Sequence, residues 1–314
     1  MAPTAEQTAV KRPVLVTGSI GIDTVRTPHG VRRECLGGSS VYFSMAASFF
    51  SPVRLVGVVG DDCPFDLQQV FAGRDVDLAG LEVRKQSKTF RWEGSYGDNM
   101  NDRTTDVLEL NVLAEDPPVV PPGFRDSEFV FLANTAPALQ LKLLSQVERP
   151  LFVAADTMDC WIQNETADLK KLLERIDCLV VNDAEARLLA GQSNLLAAAE
   201  KILAIGPGVV VVKRGESGSI TVASDGSKFV LPAYPMKKVT DPTGAGDSFA
   251  GGMMGFLASR QAAEPDFADI KAAVAYGTVV ASFAVADFSL AGLTAVTNAD
   301  IEKRLGELRK LVQF

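Results

Sequence analysis

The densest group of residues able to do chemistry is Asp241-Pro242-Thr243-Gly244-Ala245-Gly246-Asp247-Ser248-Phe249-Ala250-Gly251-Gly252. Pro242 stops a preceding element from running through, and the small residues let a backbone approach a ligand closely. A helical pattern follows, so the amides of Gly244, Ala245, Gly246 and Asp247 are expected to point from a helix N-terminus. Free N–H groups and the helix dipole stabilise anionic oxygen there. A carboxylate in that turn, Asp247, can take a proton from a hydroxyl while the amides hold phosphoryl charge. An ordinary capped helix, packed closely through Gly251 and Gly252, is the alternative that spacing alone leaves open.

Other chemistries lack their residues. No Gly-Lys dipeptide occurs, so the phosphate loop GxxxxGK[ST] is absent, and Gly18-Ser19-Ile20-Gly21 is not GxGxxG. The one histidine, His29, sits in the turn signature Thr27-Pro28-His29-Gly30, which leaves no multi-histidine metal site. Cys35, Cys63, Cys160 and Cys178 offer neither a zinc spacing nor a CxxC pair and are expected to be reduced thiols of a cytoplasmic protein. Thirty-nine acids against 31 bases give a net charge of −8, which argues against a nucleic-acid or anionic-membrane surface. No run of eighteen apolar residues suggests a membrane span, and residues 1–12 read as a flexible tail without a secretory leader.

The 314 residues, 47% hydrophobic and 22% charged, suit a globular α/β chain. Val14–Thr17, Val53–Val59, Phe129–Ala133, Leu151–Ala155, Cys178–Val181 and Val209–Lys213 read as buried strands. Ser39–Phe50, begun by a Ser cap, Ala138–Val147, Thr166–Glu174, Ala184–Ala190 and Leu195–Ile205 read as helices, as do Ala245–Ser259, Phe267–Ala284 and Asn298–Val312. This alternation implies βαβ units and a mostly parallel sheet with helices on both faces. Val25–Cys35 reads as two short strands about a turn, and Phe90, Trp92 and Tyr96 alternate with polar residues, with Val107–Val112 as partner. These form a small β excursion from the α/β body, with Pro117-Pro118…Pro121-Pro122 as the linker returning to it.

Asp-Pro-Thr-Gly-Ala-Gly-Asp-Ser-Phe resembles the C-terminal signature of the ribokinase-type (PfkB) carbohydrate kinase family. Asn182-Asp-Ala-Glu185 resembles that family's NxxE segment, and Lys213-Arg-Gly215-Glu-Ser-Gly218 its nucleotide loop. Gly18…Asp23, Gly37-Gly38 and Val56-Gly57…Gly60-Asp61-Asp62 follow in the family's order and spacing. The resemblance implies one ribokinase-like α/β domain over 13–295, lid segments at about 22–36 and 88–112, and a C-terminal helix over 296–314.

It also implies site roles. Asp247 corresponds to the catalytic base, and Gly244, Ala245 and Gly246 to the anion hole. Asn182, Lys213, Gly215, Gly218, Thr243 and Thr278 fall on the nucleotide side. Glu185 would hold Mg²⁺ through water, although Asn182 and Glu185 also suit a helix-capping pair, and Asp241 would hold a monovalent cation such as K⁺. Asp23, Gly37, Gly38 and Ser39 would contact the acceptor, since a carboxylate accepts hydroxyl hydrogens in a fixed plane. Two departures touch that pocket: Tyr42 stands where relatives acting on simple sugars carry Asn, and Met158 where Asn is frequent after Asp156.

The implied activity is ATP- and Mg²⁺-dependent transfer of a γ-phosphoryl group to a hydroxyl of a sugar or sugar-like substrate. A nucleoside kinase, with Trp92 stacking on a base, is the alternative within the family. A non-catalytic sugar-binding protein is the rival from another class, and Asp247 beside the anion hole counts against it. A homodimer through the lid is the partner the resemblance suggests.

Overall fold

The computed structural model describes residues 11–260 and 264–313, so residues 1–10 of the expected tail lie outside it. Among the described residues the strands are β1 (Val14–Thr17), β2 (Gly21–Thr27), β3 (Gly30–Gly37), β4 (Val53–Gly60), β5 (Val76–Arg84), β6 (Phe90–Tyr96), β7 (Arg103–Glu109), β8 (Phe129–Leu132), β9 (Phe152–Ala155), β10 (Cys178–Asn182), β11 (Val209–Lys213), β12 (Ser219–Ala223) and β13 (Lys228–Leu231). The helices are α1 (Ser39–Ala47), α2 (Leu67–Val70), α3 (Pro137–Leu144), α4 (Asp159–Asn164), α5 (Thr166–Leu173), α6 (Asp183–Ala190), α7 (Leu195–Leu203), α8 (Ala245–Ser259), α9 (Phe267–Ala284), α10 (Ala291–Thr294) and α11 (Asn298–Leu311).

The main sheet runs β13-β12-β11-β10-β9-β8-β1-β4-β5. It is parallel from β11 to β5 and antiparallel at β12 and β13. Its strands are apolar runs because both faces are covered. Val14 and Val16 enter one core, under α1, α8, α9 and α11, while Leu15 enters the other with residues of α5, α6 and α7. The lid is a separate sheet, β3-β2-β6-β7, in which two hairpins meet through the parallel pair β2 and β6.

Several sequence boundaries move. Helix α1 ends at Ala47, short of Phe50, and its N-cap is Gly38 at φ 103° with no side-chain cap, in place of the expected serine. The partner of β6 is Arg103–Glu109, paired Tyr96↔Arg103, and the chain turns into a 3-10 helix at Asn111–Ala114. Strands β5, β12 and β13 were not expected: Asp77 and Glu82 break the apolar pattern of β5, Lys228 that of β13, and Ser219 and Thr221 that of β12. The proline segment is no free linker: Val119 N donates to Glu82 Oε1 at 2.7 Å and Val120 N to Gln146 Oε1 at 2.9 Å. The turn at His29 is as expected, with His29 N donating to Thr27 Oγ1. Helix α9 is long and apolar enough to cross a membrane by composition, yet more than half of it is buried inside the fold, against α8.

Two glycines set how closely α8 lies on α1. A Cβ at Gly251 would come 2.3 Å from the Phe43 carbonyl oxygen, and one at Gly255 2.6 Å from that of Ala47. Those are backbone atoms, which cannot swing away. Gly251→Ala is therefore expected to cost about 1–3 kcal/mol, the range for overpacking, read as a lower denaturant midpoint. Gly306→Ala in α11, where a Cβ meets nothing within 4 Å, is the control and should hold or gain stability. Equal midpoints for the two variants would show that α1 and α8 can separate freely.

Candidate active site

Parallel α/β sheets present their ligand sites at the carboxyl ends of the strands. Asp156 follows β9, Asn182 closes β10, Lys213 closes β11, and the N-terminus of α8 faces the same end. Local chemistry builds that N-terminus. Asp241 Oδ1 accepts from Thr243 N at 2.8 Å, the turn an Asp-Pro pair initiates. Gly244 is the N-cap in the left-handed region at φ 73°. Ala245 N donates to Pro242 O at 3.1 Å, so the Ala245 amide expected in the anion hole is engaged in the turn. Gly244 and Gly246 keep amides without a partner among the described residues, while the Asp247 amide turns to its own carboxyl.

Lys213 meets this turn. A Cβ at Gly246 would stand 2.6 Å from Lys213 Nζ, so the ammonium end of that flexible side chain lies directly against the turn. Burial pushes the carboxyl of half-buried Asp247 above the usual range, while Lys213 and then Arg103 pull it back. Asp156, 6% exposed, is pushed well above the ordinary value by burial and by Asp247, against the pull of Lys213. Its Oδ1 has no partner among the described residues.

The structure forms the capping pair at Asn182 and Glu185. Asn182 Oδ1 accepts from Glu185 N at 2.8 Å, and Glu185 Oε2 accepts from Asn182 N at 2.8 Å. Burial raises the Glu185 carboxyl, and Lys213 and the cap lower it. Glu185 Oε1 remains outside the cap. Among the described residues no three His, Cys, Asp or Glu side chains cluster as a metal cage. That donor set fits a hydrated Mg²⁺, which is commonly bound through one or two carboxylates and substrate phosphates. Asp241 has Thr243 N on one oxygen and Ser289 N on the other at 3.3 Å, so it offers a monovalent cation no carboxylate oxygen free of an amide.

On the acceptor side, Asp23 is 4% exposed on β2 and lies against Gly37, where a Cβ would fall 1.8 Å from Asp23 Oδ2. Asp23 Oδ1 has no partner among the described residues. Burial, then Asp241 and Asp247, push its pKa up to about 8. Gly38 packs on the Ser19 carbonyl. Ser39 pairs with Ser19: its N donates to Ser19 Oγ at 2.9 Å, and its Oγ accepts from Ser19 N at 3.1 Å. Met158 Sδ takes Asn134 Nδ2 at 3.3 Å.

The lid reaches both sides. Thr243 Oγ1 donates to Tyr96 Oη at 3.2 Å, and a Cβ at Gly215 would meet Asn101 Oδ1 at 2.4 Å. Trp92, 8% exposed, lies on Gly94 with the Arg103 guanidinium 5.8 Å from its ring, and so forms part of the lid's own packing. Lys213, Gly215 and Gly218 form the β11–β12 hairpin turn, with both glycines at positive φ. Thr278 is buried in α9 with its hydroxyl donated to Val274 O at 2.8 Å.

Sequence reading missed Arg103 as a site neighbour and left Tyr96 open between substrate, a partner subunit and the lid itself. Their only signal is strand alternation in the lid, because the tertiary fold alone brings them to Thr243 and Asp247. Asp156 carried more signal, as a carboxylate just past a buried strand.

The family model for pfkB family carbohydrate kinases matches residues 37–294. The cytidine kinase of Thermococcus kodakarensis is 29% identical over 77% of this chain and 87% of its own. The aminoimidazole riboside kinase of Salmonella typhimurium is 26% identical over 79% of this chain and 81% of its own. An E. coli protein described as a ribokinase II, solved with ATP and Mg²⁺, superposes with a TM-score of 0.73 at 19% identity, over 94% of this chain and 99% of that one.

The burial of Asp23 has a consequence for stability. Its folded-state pKa of about 8 exceeds the ordinary 3.8, so between those values the folded chain holds a proton that the unfolded chain has released. Stability from this group is complete below pH 4 and is lost as pH rises through about 8, by up to about 1.4 kcal/mol per pH unit. Asp23→Asn, which cannot ionise, is expected to lose less stability than the wild type between pH 5 and 8 in denaturant titrations. Parallel pH profiles would show that Asp23 is already ionised in the folded chain.

Proposed function

The chain belongs to the pfkB family of carbohydrate kinases, and on that premise we propose that it transfers the γ-phosphoryl group of ATP to the hydroxymethyl group of a ribonucleoside, with Asp247 as base. It is a phosphotransferase with an alcohol acceptor, as its kinase relatives are. One observation carries the mechanism: Asp247 lies in the same turn as the free amides of Gly244 and Gly246, with Lys213 Nζ against Gly246. The cytidine and aminoimidazole riboside kinases support a nucleoside acceptor ahead of a simple sugar.

In this reading the acceptor hydroxyl donates to Asp247, whose raised pKa makes it a better base near neutral pH than a solvated carboxylate. The amides at the head of α8 and the Lys213 ammonium hold the charge on the transferring phosphoryl group, in line between the two oxygens. Glu185, through Oε1, and Asn182 would hold hydrated Mg²⁺, which when bound neutralises phosphate charge. Asp23, which holds its proton up to about pH 8, receives a hydroxyl hydrogen of the acceptor on its unprotonated oxygen. The lid, latched at Thr243 and Gly215, keeps water from the phosphoryl group.

ADP release across ribonucleosides, pentoses, hexoses and sugar phosphates tests the acceptor, with a ribonucleoside expected to give the highest kcat/KM. A clear preference for a free sugar would return the simple-sugar reading. Asp247→Asn keeps the size of the side chain but cannot accept the proton. It is expected to lower kcat by about 10²–10⁴-fold while ATP affinity and thermal midpoint hold. Near-normal turnover would remove Asp247 from the mechanism. Glu185→Gln can still complete the cap, so it should raise the Mg²⁺ concentration for half-maximal rate without lowering the midpoint. An unchanged Mg²⁺ profile would leave Glu185 as a capping residue alone.

A further inference from the structure

Ser289 is a serine in a glycine's conformation. Its φ is 52°, in the left-handed region that strains any residue with a Cβ and that glycine enters freely. Such strain persists where the surrounding bonds hold a residue in place. Two do so here. Ser289 Oγ donates to Leu36 O at 2.6 Å, and Ser289 N donates to Asp241 Oδ2 at 3.3 Å.

Those two acceptors belong to different parts of the molecule. Leu36 stands at the root of the lid on β3, between Cys35, which pairs with Asp23, and Gly37, which lies against the Asp23 carboxyl. Asp241 shapes the turn before α8 through its other oxygen, which accepts from Thr243 N. Ser289 is in neither, but in the loop between α9 and α10. The same turn meets the lid twice more, where Thr27 Oγ1 donates to Thr240 O at 3.0 Å and Thr243 Oγ1 to Tyr96 Oη. Lid and turn are thus joined at the lid's root, at the end of β2 and at its tip. Only the joint at the root passes through a third segment. Glycine at 289 would keep the backbone bond to Asp241 and ease the strain, so the bond to the lid is what the serine side chain adds.

We propose that Ser289 is a positioning residue whose hydroxyl ties the Asp241 turn to β3, so that phosphate at the head of α8 and closure of the lid favour one another. Coupling between two sites is reciprocal, so a lid closed over the acceptor prepares the turn for the nucleotide by the same factor. The inference rests on the kinase reading above and adds how the two substrates are made to act together.

Hydrogen–deuterium exchange on wild type, Ser289→Gly and Ser51→Ala, each with and without Mg²⁺ and the non-hydrolysable analogue AMP-PNP, tests this with no acceptor present. Ser51 Oγ donates to Gly255 O at 3.0 Å, a buried hydroxyl bond away from the lid, and is the control. In the wild type the analogue is expected to slow exchange at 213–218 and, by about fivefold or more, over 21–37, which carry no nucleotide-side residue. Ser289→Gly should keep the first effect and lose the second, with a thermal midpoint that holds because strain is relieved as the bond is lost. Ser51→Ala should keep both effects. Equal slowing over 21–37 in the wild type and Ser289→Gly would overturn the proposal, and so would its absence from the wild type. Its loss in Ser51→Ala as well, or a lowered Ser289→Gly midpoint with both effects gone, would mark a packing role and overturn it too. If the analogue does not slow even 213–218 in the wild type, the kinase reading itself fails, and the proposal with it.

Discussion

Negative charge gathered at one helix N-terminus is the constraint on which the rest of the molecule depends. Asp23, Asp156, Glu185, Asp241 and Asp247 all have carboxyls raised above the ordinary range, with burial as the first cause. Lys213 is the cation common to Asp156, Glu185 and Asp247, and Arg103 of the lid is shared by the last two. Such a group of carboxylates opposes folding unless protons, an ammonium or helix amides offset it. The two cores on either face of the sheet supply the stability that this arrangement spends.

The parts of the site governed by local rules were legible in the sequence. Pro242, Gly244 and Gly246 marked the turn and Ala245–Ser259 the helix, because a proline stop and a left-handed glycine act within a few residues. The capping pair of Asn182 and Glu185 was open to two readings, and the structure forms the cap while leaving one Glu185 oxygen outside it. What local rules left open was the fate of single polar atoms. The Ala245 amide turned to Pro242 O, Ser39 to Ser19, and the Thr278 hydroxyl to its own helix. A motif fixes a residue's place along the chain, but competing partners within hydrogen-bonding distance decide where its atoms go.

The fold shows the same division. The central strands were found because burial on both faces makes them continuous apolar runs. Edge strands β5 and β13 carry charges such as Asp77 and Lys228 and so gave no such run. The lid's existence was legible from alternation, but not its position. Tyr96 and Asn101 reach residues more than a hundred positions away, a distance that no periodicity records.

The division of the core also bears on synthesis. One face of the sheet, including Val14, Val16, Val53 and Leu55, is covered by α1 together with Phe249, Met253, Ile270, Val280 and Leu305 of α8, α9 and α11. Those helices are encoded at the far end of the chain, whereas the other face is closed by α3, α5, α6 and α7 from its middle. During translation the sheet can form with one side sealed and the other bare. A nascent chain halted before α8 therefore presents a wide apolar surface, the kind that holdase chaperones bind and that aggregates when they are scarce. Its completion waits on the segment that also carries Asp247, so the second core and the turn at the head of α8 are completed together.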